Sequence, residues 1–171
     1  AMEASMDFWL TSGPYTEKFE SRFAKVVGMR HAFMVNSGSS ANLIMIAALF
    51  YTSDETRRLK RGDEVIVPAV SWSTTYFPLH QYGLKIKFVD INPNTLNIDI
   101  DAVRAAITPK TKAIFAVNLL GNPCDFSELQ DIVRENDLIL IEDNCESLGA
   151  TYKGRAAGTF GIMGSFSTFF S

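Results

Sequence analysis

Short, almost unbroken apolar runs restrict this chain more than any other feature. HAFMV (31–35), EVIVPA (64–69), KIKFVD (85–90), KAIFAV (112–117) and LILIED (138–143) are each brief and rich in β-branched or aromatic side chains, and SFSTFFS (165–171) closes the sequence. Strands of this kind suit a sheet covered on both faces, because a half-solvated sheet needs polar residues at alternate positions. Helical patterns separate most of them. Residues 16–27 place Phe19, Phe23, Val26 and Val27 on one face. Residues 42–50 are apolar nearly all round, as in a buried helix. Residues 101–107 follow a cap at Asp99 and stop before Pro109. Asp125 and Glu128 have the spacing of a capping box opening a helix to about Glu135. Strands alternating with helices predict an α/β chain with a mostly parallel, doubly wound sheet, residues 1–171 forming part of one domain.

Composition removes several classes of function. With 171 residues, 47% hydrophobic and 20% charged, and a net charge of −3, the chain matches neither a disordered segment nor a basic nucleic-acid surface. Cys124 and Cys145 form neither a disulfide framework nor a CxxC metal motif, so no metal site is expected. No apolar run is long enough to span a membrane, and the start lacks a signal peptide's basic region. The expectation is a reduced, cytoplasmic, soluble protein with no nucleic-acid or membrane partner. Ala1 ahead of Met2 reads as a cloning remnant, and a chain stopping inside an apolar run predicts part of something longer.

Four segments carry candidate chemistry. In NSGSSAN (36–42), Gly38 permits close backbone approach where an apolar helix begins, and Ser39 and Ser40 add hydroxyl donors. Free N–H groups at a helix start bind anions, although a serine cap on a buried helix would explain one serine. Neither GxGxxG nor GxxxxGK[ST] is present, which removes the nicotinamide and P-loop readings. Asp143 follows a buried strand, where ligands bind in open α/β sheets. It suits a cationic ring nitrogen, a Mg²⁺ ion, or the capping of a following helix. Trp72, also just past a strand, suits either a flat ligand ring or the core. Alternation in 165–171 puts Ser165, Ser167 and Phe169 opposite Phe166, Thr168 and Phe170, leaving two serines for a crevice or simply a strand of small residues.

Together these segments resemble the sugar-nucleotide aminotransferase and dehydratase (DegT) family of fold type I enzymes. The carrying motifs are TSGPYTEKFE (11–20), SGSSAN (37–42), NLLGNP (118–123), IEDNCESLGA (141–150) and GTFGIMGSFS (158–167). The resemblance implies the large domain that binds pyridoxal or pyridoxamine phosphate. Gly38 and Ser39 would hold the cofactor phosphate, with Ser167 adding a hydroxyl. Trp72 would stack on the pyridine ring, Asp143 would bond its nitrogen and keep it protonated, and Glu146 would lie beside the ring hydroxyl. Asp143 and Glu146 are thus the candidate catalytic residues. The Schiff-base lysine position of the family falls one residue beyond Ser171.

Two departures point within the family. Aminotransferases typically read EDAAQA where this chain reads EDNCES (142–147), and carry a histidine in the run that Phe169, Phe170 and Ser171 fill here. Both resemble the sugar 3-dehydratases, in which histidine replaces the lysine and free pyridoxamine phosphate serves as cofactor. That branch implies loss of the C3 hydroxyl from a nucleotide-linked 4-keto-6-deoxyhexose, for O-antigen or lipopolysaccharide deoxysugars, by a homodimer with shared active sites. The other branch implies a pyridoxal-phosphate aminotransferase. These residues alone would make a catalytically silent cofactor-binding piece.

Overall fold

The computed structural model describes residues 2–6 and 11–168, and they divide into two compact units, Ala1–Asn36 and Ser37–Ser171. In the first, α1 (Met2–Met6) precedes α2 (Pro14–Val27). Pro14 opens α2 where a missing N–H costs nothing, and Gly28 ends it at φ 75, donating back to the carbonyls of Ala24 and Lys25. Phe19 and Phe23 stack at 5.6 Å, but Val26 of the same expected face is exposed.

The expected strand at 31–35 does not form. Its backbone has no sheet partner among the described residues, and Phe33 is 81% exposed. An apolar run becomes a strand only when a neighbour takes its N–H and C=O groups. Asn36 is therefore not a strand end.

The second unit is a five-stranded parallel sheet. Along the chain come α3 (Gly38–Tyr51), β1 (Glu64–Pro68), α4 (Ser73–Gln81), β2 (Lys85–Val89), α5 (Ile100–Ala106), β3 (Thr111–Val117), α6 (Phe126–Asn136), β4 (Ile139–Asn144), the hairpin strands β5 (Thr151–Tyr152) and β6 (Arg155–Ala156), and β7 (Met163–Phe166). The spatial order is β2-β1-β3-β4-β7, all parallel. The connection from β1 to β2 runs one way along the sheet and later connections run back. With crossover hand fixed, the reversal places helices on opposite faces. Val65, Val67, Phe115 and Ile141 accordingly pack against α3 and α4 through Met45, Ile46, Leu49 and Leu79. The intervening Ile66, Ile114, Ala116 and Leu140 pack against α5 and α6 through Val103, Leu129 and Ile132. Both faces are covered over β1, β3 and β4, as their continuous apolar runs require, whereas β2 at the sheet edge leaves Lys85 and Phe88 exposed.

The expected caps are present: Asp99 accepts from Ala102 N–H, and Asp125 from the N–H groups of Ser127 and Glu128. Glu128 does not close a box, because its carboxylate pairs with Arg104 at 2.9 Å and so ties α6 to α5. Helix α4 has no sequence signature, since Pro78 interrupts it and its apolar residues lack helical spacing. The last strand begins earlier than the serine–phenylalanine run, and Phe169, Phe170 and Ser171 lie outside the described residues.

Glu142 fastens the segment leading into β7. It is fully buried on the α5–α6 side and accepts from Gly161 N–H at 2.6 Å, Gly158 N–H at 2.7 Å and Asn118 Nδ2 at 3.3 Å. Burial pushes its carboxyl above 4.5, while these donors pull it back. A carboxyl raised in the folded state adds stability below its unfolded value and loses it as pH rises through the folded one. The stability of wild type relative to Glu142→Gln is therefore expected to fall as pH rises above 4.5, read from urea midpoints. A gap independent of pH would contradict this. At Gly164, an added Cβ would collide with the backbone carbonyl of Gly158. Gly164→Ala should therefore cost about 1–3 kcal/mol of unfolding free energy, the range for overpacking. A loss below about 0.5 kcal/mol, typical of surface changes, would show that the loop yields.

Candidate active site

Because the strands are parallel, all their carboxyl ends open on one edge. The chain leaves β1 over the α4 face and β3 over the α6 face, so a crevice forms between their ends, the position where open α/β sheets bind ligands. Asp143 stands at this edge, at the end of β4, and is only 5% exposed. Oδ2 accepts from Asn42 Nδ2 of α3 and Thr75 Oγ1 of α4, each at 2.8 Å. Oδ1 accepts the longer bonds, from Cys145 N–H at 3.1 Å and Ser165 Oγ at 3.4 Å. A buried carboxylate is costly unless bonded in this way. Oδ1, with the weaker bonds, has acceptor capacity left for a cationic N–H.

Asn42 has a second task. Pro78 has no N–H to offer the carbonyl four residues back in α4, that of Thr74. Asn42 Nδ2 donates to Thr74 O at 3.4 Å, so one amide holds both the site carboxylate and the proline-containing helix.

The amino end of α3 lies beside the ends of β4 and β7. Ser37 caps the helix by accepting from Ser40 N–H at 3.1 Å, and Ala41 N–H bonds to the carbonyl of Ser37. The N–H groups of Gly38 and Ser39 precede these and point out of the helix start, with Ser39 exposed. Gly38 does not adopt a left-handed φ, so its role is space. A Cβ there would lie 2.6 Å from Cys145 Sγ and 3.2 Å from Ser167 Cβ. Absence of a side chain lets the helix end settle on the strands and puts Ser167 next to Gly38. Burial and the neighbouring Asp143 push the Cys145 thiol up to about 12, which makes it packing material rather than a nucleophile.

Trp72 is the N-cap residue of α4 and is 67% exposed, leaving ring surface for a planar ligand. Its Nε1 donates to Glu146 Oε1 at 2.8 Å, and Leu120 N–H donates to Glu146 Oε2 at 3.0 Å. Behind them, Asn118 donates to Asn144 Oδ1 at 3.1 Å and accepts from Cys124 N–H at 2.9 Å, joining the segment after β3 to the end of β4.

Among the residues singled out in the sequence, Trp72 is hydrogen-bonded to Glu146 and Ser165 to Asp143, while Gly38 lies beside Ser167. Cys145 stands between them, its N–H bonded to Asp143 and its Sγ against Gly38. Ser165 and Phe166 do lie on opposite faces, since Ser165 reaches Asp143 while the Phe166 ring faces Gly158, and Ser167 lies just past the end of β7. Asn42, Asn118 and Glu142 stand in the motifs singled out, but nothing in the sequence gives them, or Thr75, a role. Their signal was weak. A polar residue on an otherwise apolar buried helix, as Asn42 is, marks a bond to something specific. The groups present fit a phosphorylated pyridine cofactor: N–H donors for an anion at the α3 start, a carboxylate acceptor at Asp143 for a cationic nitrogen, and exposed ring surface at Trp72 for a flat ring.

The chain is 61% identical over 161 residues to GDP-4-keto-6-deoxy-D-mannose 3-dehydratase of Escherichia coli O55:H7, covering 94% of this chain and 41% of that protein. The solved E. coli GDP-4-keto-6-deoxy-D-mannose-3-dehydratase with bound hydrated PLP superposes with a TM-score of 0.93 at 57% identity, over 98% of this chain and 43% of that one. A structure of a GDP-4-keto-6-deoxymannose-3-dehydratase mutant with bound GDP-perosamine gives the same score and identity over 99% and 43%. This chain thus spans about two fifths of these relatives. The match to the DegT/DnrJ/EryC1/StrS aminotransferase family covers residues 1–171, and the chain belongs to that family.

Proposed function

We propose that this chain is the amino-terminal part of the cofactor-binding domain of a pyridoxamine-phosphate-dependent 3-dehydratase. Its substrate would be a nucleotide-linked 4-keto-6-deoxyhexose, GDP-linked by likeness to the relatives, and its product a deoxysugar for lipopolysaccharide. The protein would work in the cytoplasm as a homodimer. One observation carries the cofactor reading: a buried carboxylate, Asp143, is anchored from α3, α4 and β7 at the carboxyl edge of the sheet. The likeness to 3-dehydratases carries the choice of reaction.

The residue roles are those that the family resemblance implies, and the geometry above supports them. The N–H groups of Gly38 and Ser39, at the positive end of α3, hold the phosphate, and Ser167 adds its hydroxyl. Trp72 supports one face of the ring. Asp143 would hold the ring N–H, and its negative charge would keep that proton in place. When bound, the cofactor supplies an amine for the keto carbon and a ring that withdraws electrons from the reacting carbon. Asn42 and Thr75 keep Asp143 from turning away. The proton-transfer base belongs at the position after Ser171, where a histidine is expected.

Asp143→Asn in the full-length protein is expected to lower turnover roughly 10²-fold or more, the scale of losing an electrostatic stabiliser, while phosphate affinity holds. Undiminished turnover would remove Asp143 from its role. Borohydride is expected to leave the cofactor unattached to the chain, read by intact-protein mass. A mass increase mapping to a lysine just past Ser171 would make the protein an aminotransferase instead.

A further inference from the structure

Glu146 spans the crevice and accepts on both oxygens. One donor, Trp72 Nε1, lies on the loop after β1, and the other, Leu120 N–H, lies on the loop after β3. We infer that Glu146 is a positioning residue that locks the Trp72 ring and the loop at Leu120 into cofactor-ready geometry, and is not an acid–base group. The inference rests on the cofactor reading above.

Each partner needs such a lock. Trp72 is exposed at the start of α4, and an exposed indole samples several rotamers unless a bond selects one. Leu120 sits at φ 51 and ψ 32, and Gly121 follows at φ 82. A leucine in the left-handed region is disfavoured by its Cβ, so an acceptor fixed on its N–H helps hold it there. Both donors are N–H groups that can only donate, and each occupies one carboxylate oxygen. The backbone carrying Glu146 is itself tethered, because Asn144 Nδ2 donates to Ser147 O and Ser147 N–H to Asn144 O, each at 3.3 Å. A side chain fixed from below and occupied at both oxygens is built to hold its partners still.

The test is a double-mutant cycle in the full-length protein, reading pyridoxamine phosphate affinity and the visible circular dichroism of bound pyridoxal phosphate. Glu146→Gln keeps one acceptor but aims an N–H at the other donor. It should weaken pyridoxamine phosphate binding roughly tenfold or more and reduce the dichroic band, the scale for losing a charged hydrogen bond. In a Trp72→Phe background, which lacks the indole N–H, the same change should cost less than about threefold. Leu120→Gly should return part of the loss, since glycine takes the left-handed turn unaided. Inorganic phosphate should compete equally in all variants. Equal losses in both backgrounds, or no loss with Glu146→Gln, overturn the role assigned to Glu146. Wild-type protein that binds no pyridoxamine phosphate overturns instead the cofactor reading beneath it. Should Glu146→Gln not fold, Glu146→Asp, too short for both donors, carries the same expectation.

Discussion

A single buried carboxylate, Asp143, draws the elements of the sheet edge together. Removing such a charge from water costs several kcal/mol unless donors surround it. Here the donors come from α3 (Asn42), α4 (Thr75), the following turn (Cys145 N–H) and β7 (Ser165). Satisfying one side chain therefore fixes the relative positions of two helices and two strands. Pro78 belongs to the same arrangement, because the carbonyl it frees at Thr74 is met by the amide that also holds Asp143.

Neighbouring acids at the end of β4 divide the labour. Successive strand residues point to opposite faces, so Asp143 turns to the crevice beneath α3 and α4 while Glu142 turns to the α5–α6 side. Glu142 spends its acceptors on Gly158, Gly161 and Asn118, fixing the segment that delivers β7. β7 in turn brings Ser165 to Asp143, and the residue after it, Ser167, lies beside Gly38. The scaffold acid and the site acid are thus coupled through one short strand.

Much of this was legible in the residues. Burial on both faces makes a strand continuously apolar, and β1, β3 and β4 carry that mark, as do the capping aspartates of α5 and α6. The run at 31–35 carries it too and forms no strand, because pairing needs a partner and local pattern says nothing about one. Helix α4 left no trace: its polar start, its proline and its buried Thr75 answer to tertiary contacts rather than to helical spacing. Within the site, motif likeness marked Asp143, Trp72 and Gly38. What holds them was hidden, because Asn42, Thr75 and Leu120 act across long sequence separations. Gly38 was expected to open the backbone to a ligand, and the structure shows in addition that it lets α3 close on Cys145 and Ser167.

The central claim is that Asp143 holds a protonated ring nitrogen. The most direct measurement is the nuclear magnetic resonance shift of that nitrogen in isotope-labelled pyridoxamine phosphate bound to the full-length protein, followed with pH. The account predicts a protonated nitrogen well above the pH at which the free cofactor loses that proton, and loss of this protection in Asp143→Asn. A nitrogen that titrates in the bound state as it does in free solution would contradict it.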